Sequence, residues 1–206
     1  MSPRLRKAIV AQFGNPHGFL GRIAGWIMAN RRSNRERNDW TVDLLNVQSG
    51  ERVFEIGCGP GLALEACLAR AGDGHVVGLD HSQTMLDQAR ARNAEANREG
   101  RLELRLGSLE ELPVASGSFD KVCSANVVQF LPDRAAAFRK IFSVLKPKGV
   151  AATTYMPRNK NPSKADALNM AEDVKRHMKV AGFANIRIEE LPMDPAPAVC
   201  IIGEHP

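Results

Sequence analysis

Val53-Phe54-Glu55-Ile56-Gly57-Cys58-Gly59-Pro60-Gly61 is the stretch on which the reading of this chain turns. An apolar run of strand formers meets an acid and passes into three alternate glycines. Leu62-Ala63-Leu64-Glu65-Ala66-Cys67-Leu68-Ala69-Arg70 then has helical composition. This is a strand, a tight turn and a helix start. Alternate glycines admit positive φ and let a ligand lie on bare main chain, and Pro60 suits a first helical turn, where its missing donor would be unpaired anyway.

The spacing discriminates between ligands. A dinucleotide fingerprint places its third glycine three residues after the second, but position 62 is Leu and the glycine arrives one residue early. A carboxylate at Glu55 repels a diphosphate, whereas it can pair directly or through water with a ligand ammonium. The E-x-G-x-G-x-G pattern resembles motif I of the class I S-adenosylmethionine-dependent methyltransferases, in their small-molecule branch.

Downstream, His75-Val76-Val77-Gly78-Leu79-Asp80 reads as a buried second strand ending in an acid. Asp80 stands at the interval from the glycine turn where nucleoside-binding α/β domains place a carboxylate on a ribose diol. Ser82 caps a helix expected from Gln83 to about Arg98, with Met85, Leu86 and Ala89 inward. The string Asp80-His81-Ser82-Gln83-Thr84-Met85-Leu86 resembles the family's second signature, which implies that His81 and Met85 flank the adenine. Arg101 to Leu106 alternates as a third strand. It enters Gly107-Ser108-Leu109-Glu110-Glu111-Leu112-Pro113, similar to the family's loop at the adenine amino group, with Ser108 where Asp is usual.

Ser118 to Asn126 reads as the fourth strand, and the segment from Asn126 through Gln129 to Asp133 resembles the loop at the methyl-transfer site. The amino-methyltransferase signature N-P-P-Y is absent there, which disfavours base-flipping methylation and makes DNA an unexpected partner. Phe138, Ile141, Phe142 and Leu145 form one helical face. Lys146-Pro147-Lys148-Gly149 turns into a fifth strand, Val150 to Tyr155. A helix from Ser163 to Ala181 ends at Gly182, and Ala184–Leu191 with Ala198–Gly203 fits a closing hairpin.

Alternating strands and helices imply a doubly wound, mostly parallel α/β sheet. The resemblance implies seven strands over residues 48–206, with residues 1–47 as an N-terminal helical cap. Within the cap, Phe19, Leu20, Ile23, Ala24, Ile27 and Met28 form one helical stripe, broadened by Trp26. Ser33 is expected to cap a second helix with Trp40, Leu44 and Val47 on one face.

The 206 residues suit one domain with a full core, and no apolar run is long enough to span a membrane. With no secretory h-region at the N-terminus, a cytoplasmic location is the expectation. The cysteines Cys58, Cys67, Cys123 and Cys200 read as buried apolar residues rather than a disulfide frame or metal site, and the histidines lack ligand spacing. The net charge is +5, with much of the excess among Arg4, Arg6, Lys7, Arg22, Arg31, Arg32, Arg35 and Arg37. A solvated basic face is the plain reading, and contact with RNA or an anionic membrane the sharper one.

Cofactor contacts are thus expected from Glu55, Gly57, Cys58, Gly59, Gly61, Asp80, His81, Met85, Ser108, Leu109, Asn126 and Gln129. Acceptor contacts are expected from His17, Trp26, Trp40 and Tyr155, and the acceptor itself is expected to be a small apolar or amphipathic molecule. No catalytic residue and no metal is assigned; His17, His81 and Tyr155 are the candidate bases. A monomer or homodimer is expected. The competing readings are a membrane-associated lipid or quinone methyltransferase and a non-catalytic nucleoside- or NAD-binding domain.

Overall fold

The computed structural model describes residues 31–111 and 113–206. The expected first cap helix, with His17 and Trp26, lies outside the described residues, as does Leu112. Seven strands form one sheet: β1 (Arg52–Ile56), β2 (His75–Asp80), β3 (Leu102–Leu106), β4 (Phe119–Ala125), β5 (Leu145–Tyr155), β6 (Ala184–Leu191) and β7 (Ala198–Glu204). The order is β3-β2-β1-β4-β5-β7-β6, parallel through β5, with β7 antiparallel to both neighbours. The order reverses between β1 and β4, and that switch opens a crevice at the carboxyl ends of the strands.

Helices cover both faces. Strand alternation sends Phe54, Ile56, Val77 and Leu79 into one core under α5 (Arg134–Val144) and α6 (Lys164–Ala181). Val53, Cys58 and Val76 enter the other, under α1 (Arg32–Leu45), α2 (Leu62–Ala71), α3 (Gln83–Arg92) and α4 (Ala94–Arg98). Burial on both faces is why the central strands read as nearly continuous apolar runs. All four cysteines are buried free thiols.

The caps explain where the helices start. Ser82 Oγ accepts from Met85 N, Asp133 Oδ1 accepts from Ala136 N, and Ser163 with Asp166 closes a capping box at α6. The helix expected to run from Gln83 to Arg98 instead divides at Asn93, whose buried amide turns back to Ala89 O and across to Gly61 O. The segment Lys146–Gly149, expected as a turn ahead of the fifth strand, and Leu145, expected on the preceding helix, belong to β5 itself, which carries a register shift against β4 there, with Lys148 at φ 65°.

The second cap helix is present as α1, but its buried face differs from the expected one. Arg31 is the N-cap residue, without a side-chain cap bond, rather than Ser33. Asn34, Arg37, Asn38, Thr41, Val42 and Leu45 are buried, while Trp40 and Leu44 are only partly so. Thr41 Oγ1 donates to Arg37 O at 2.8 Å and is hydrogen-bonded to Thr154 Oγ1 of β5 at 2.7 Å, so a polar seam rather than an apolar stripe meets the sheet. Apolar periodicity cannot detect a buried face built on hydrogen bonds. The basic run divides in the same way: Arg35 pairs with Glu65, whereas Arg37 is buried.

Close packing of α2 on the sheet depends on Gly78. A Cβ there would lie 2.9 Å from Leu64 Cδ1, 3.0 Å from Leu104 Cδ2 and 3.1 Å from Cys58 Sγ. Gly78→Val is expected to destabilise the fold by about 1–3 kcal/mol through overpacking. Urea titration should register this as a lower midpoint with an unchanged m-value.

Candidate functional site

The glycine turn stands at the switch point, and its three glycines have different duties. Gly57, Gly59 and Gly61 all have positive φ, at 66°, 51° and 81°. A Cβ on Gly57 would lie 2.4 Å from Val127 Cγ2, in the loop after β4. One on Gly61 would lie 2.8 Å from Asn93 Nδ2 and 3.0 Å from Ala89 Cα. These two glycines let neighbouring elements close over the turn. Around a Cβ on Gly59 no described atom lies within 4 Å, so Gly59 alone offers open main chain.

Asp80 holds the turn from the side. Its Oδ2 accepts from Gly59 N at 2.8 Å and its Oδ1 from Ser82 N at 2.9 Å, while Cys58 N bonds Leu79 O at 2.9 Å. Each carboxylate oxygen keeps a further lone pair, and the residue is 6% exposed at the crevice wall.

Glu55 lies deeper. It faces the α2 side of the sheet, where the Leu64 N–H donates to its carboxyl group; Gly61, the N-cap of α2, has no side chain for that task. Its Oε2 is buried without a hydrogen-bond partner. Burial, then Cys67 and Asp80, hold this carboxyl well above its usual value of 4.5, against the opposing effect of the Leu64 amide.

The remaining expected residues lie around the same strand ends. Met85 is fully buried at the start of α3, and His81 is half-exposed with Nδ1 3.8 Å from Asp80 Oδ1. Ser108 accepts from Glu111 N and donates to Glu111 Oε2 at 3.1 Å, while Leu109 packs into the core. Asn126 adopts φ 57° at the end of β4; its Oδ1 accepts from Met156 N at 2.8 Å and its carbonyl from Gln129 Nε2 at 2.9 Å. Gln129 Oε1 is buried and unpaired. Trp40 and Tyr155 are not brought together: Trp40 packs on the α2-side core and Tyr155 on the opposite one. Burial, with Asp166 adding to it, raises Tyr155, so at neutral pH it is a phenol rather than a ready base. Asn93, absent from the expected set, buttresses the turn through Gly61 O; the sequence signal for it was only an amide within a helical stretch.

Known proteins place this arrangement. Residues 53–149 match a family model described as a methyltransferase domain. An uncharacterized methyltransferase of Bacillus subtilis, YdaC, is 33% identical over 184 residues, covering 89% of this chain and 98% of the relative. A 24-methylenesterol C-methyltransferase 2 of rice, Oryza sativa, is 27% identical over 185 residues, or 82% of this chain and 51% of that longer protein. A methyltransferase solved in complex with the Haloferax volcanii Trm112 activator superposes with a TM-score of 0.70 at 19% identity, covering 87% of this chain and 94% of that one. The chain belongs to the class I S-adenosylmethionine-dependent methyltransferases.

The state of Glu55 gives a pH prediction. The folded chain retains a proton there that the unfolded chain releases near 4.5, so this contribution to stability is complete below that pH and is lost as pH rises through the elevated folded value. Glu55→Gln, which cannot ionise, should therefore show a shallower fall in Tm than the wild type from about pH 5 to about pH 8 by calorimetry.

Proposed function

We propose that this methyltransferase binds S-adenosylmethionine across the carboxyl ends of β1, β2 and β4 and methylates a small organic acceptor with an apolar or amphipathic body. The observation that carries this reading is the open main chain of Gly59 beside the Asp80 carboxylate at the β1–β4 switch. Two further features fit the cofactor. Glu55 Oε2 and Gln129 Oε1 are buried acceptors without partners, suited to the ammonium end of the ligand, directly or through water.

In this reading the free lone pairs of Asp80 accept from the ribose hydroxyls, and the open main chain at Gly59, with Cys58 beside it, lies against the amino-acid part, while Gly57 and Gly61 hold the turn in shape. His81 and Met85 flank the adenine, with Ser108 and Leu109 at its amino edge and Asn126 beside the reacting centre. When bound, the cofactor supplies a methyl group on a positively charged sulfur that is already a good leaving group. The task left to the protein is alignment of the acceptor in line with that bond, which is worth several orders of magnitude without a covalent nucleophile. The relation to a sterol methyltransferase supports an apolar acceptor body. Among the described residues no helix is long and apolar enough to cross a membrane.

Calorimetry of the full chain should detect S-adenosylmethionine with a dissociation constant in the range of about 1 μM to 1 mM usual for enzyme substrates. Tight NADH binding without binding of S-adenosylmethionine would overturn the reading. Gly59→Ala, which fills the open face, should weaken S-adenosylmethionine at least about tenfold, roughly 1.4 kcal/mol. Its stability should fall only by the strain of an alanine held at φ 51°, about 1–2 kcal/mol, because the added carbon meets no described atom.

A further inference from the structure

Beside the crevice, at the end of β5, two arginines meet with no counter-ion among the described residues. Arg37 is 4% exposed. Its Nη2 donates to Asn34 Oδ1 at 3.1 Å, its Nη1 approaches Met156 Sδ at 3.7 Å, and its buried Nε has no partner. Arg158, on the exposed loop after β5, donates from Nη2 to the same Asn34 Oδ1, also at 3.1 Å. One amide oxygen thus holds two guanidinium groups side by side.

Neither guanidinium has an ion pair with an Asp or Glu among the described residues, and the groups acting electrostatically on them are other arginines: Arg158 on Arg37, and Arg31 on Arg158. The remainder of the chain cannot supply the missing charge, since residues 1–30 contain no acid and residue 112 is Leu. Burial, helped by Arg158, lowers Arg37 to about 9, so it stays cationic at neutral pH. A desolvated cation beside a second one is costly unless an anion joins them. Paired arginine forks are the geometry that recognises carboxylate and phosphate oxygens.

The position in the sheet indicates which anion. Asp80 and Gly59 stand on β2 and after β1, whereas Arg37 and Arg158 gather at β5, on the far side of β4. Met156 links them to the reaction loop, because its N–H is held by Asn126 Oδ1. We infer that Asn34, Arg37 and Arg158 form an oxyanion site for the methyl acceptor, so that the acceptor carries a carboxylate or phosphate at the end held over β5. This rests on the methyltransferase reading above and adds an anionic head to the apolar body.

The test titrates the full chain, saturated with S-adenosylhomocysteine, with benzoate and with benzyl alcohol as its neutral counterpart, and titrates the cofactor-free chain with inorganic phosphate. The wild type should prefer benzoate at least about tenfold, as charge-assisted bonds imply, and should gain Tm with phosphate. Arg158→Gln, at an exposed position, and Arg37→Met should both abolish the preference and the Tm gain, while S-adenosylhomocysteine affinity changes less than about twofold. A wild type indifferent to charge overturns the inference. So does an Arg158→Gln variant that loses S-adenosylhomocysteine affinity while keeping its benzoate preference, because the arginines would then hold the cofactor's own carboxylate. If the wild type fails to bind S-adenosylhomocysteine at all, the methyltransferase reading fails, and the phosphate titration alone decides the arginine site.

Discussion

The Asp80 carboxylate is the tie on which this structure depends. Its two oxygens each receive a backbone N–H, one from Gly59 in the turn after β1 and one from Ser82 at the N-cap of α3. One side chain therefore joins two strand ends and a helix start, and sets the crevice wall while doing so. The surroundings are arranged around that tie. Gly57 and Gly61 give up side chains so that the β4 loop and α3 can close on the turn, and Glu55 caps α2 from below because Gly61 cannot. A site built from main chain has to be positioned by bonds of this kind, since it has few side chains to steer with.

Much of this was legible in the sequence. The alternation of strand and helix, the E-x-G-x-G-x-G turn and the acid ending β2 led to the seven-stranded sheet and to membership of a methyltransferase family, because apolar period and glycine spacing are local signals. What escaped was set by contacts distant in sequence. The break at Asn93 depends on a carbonyl in the turn at Gly61, 32 residues away. The buried face of α1 depends on Thr154 and Met156, more than a hundred positions later, so its polar residues gave no pattern of their own. Arg37 looked like one more member of a basic stretch, and only the fold separates it from Arg35. The bare glycines also looked equivalent, although only one of the three faces open space.

Several buried polar groups gather along the carboxyl edge of the sheet. The two sheet cores are almost wholly apolar, while Glu55, Gln129 and Arg37 lie along the carboxyl edge, each with one buried atom that lacks a partner, and Asp80 is buried beside them. Natural folds keep unmatched groups of this sort rarely, and they cluster where a partner completes them. The acidic members lie toward β1 and β2 and the basic members toward β5, so charge changes sign along the crevice.

Cys58 sits between two glycines of the turn, in an enzyme class whose donor is an electrophile that any thiolate would attack. Its sulfur packs over Gly78, beneath α2, and burial, reinforced by Glu55 and Asp80, holds the thiol well above its ordinary range. Burial first, and then the acids that shape the crevice, thus favour the protonated thiol at Cys58.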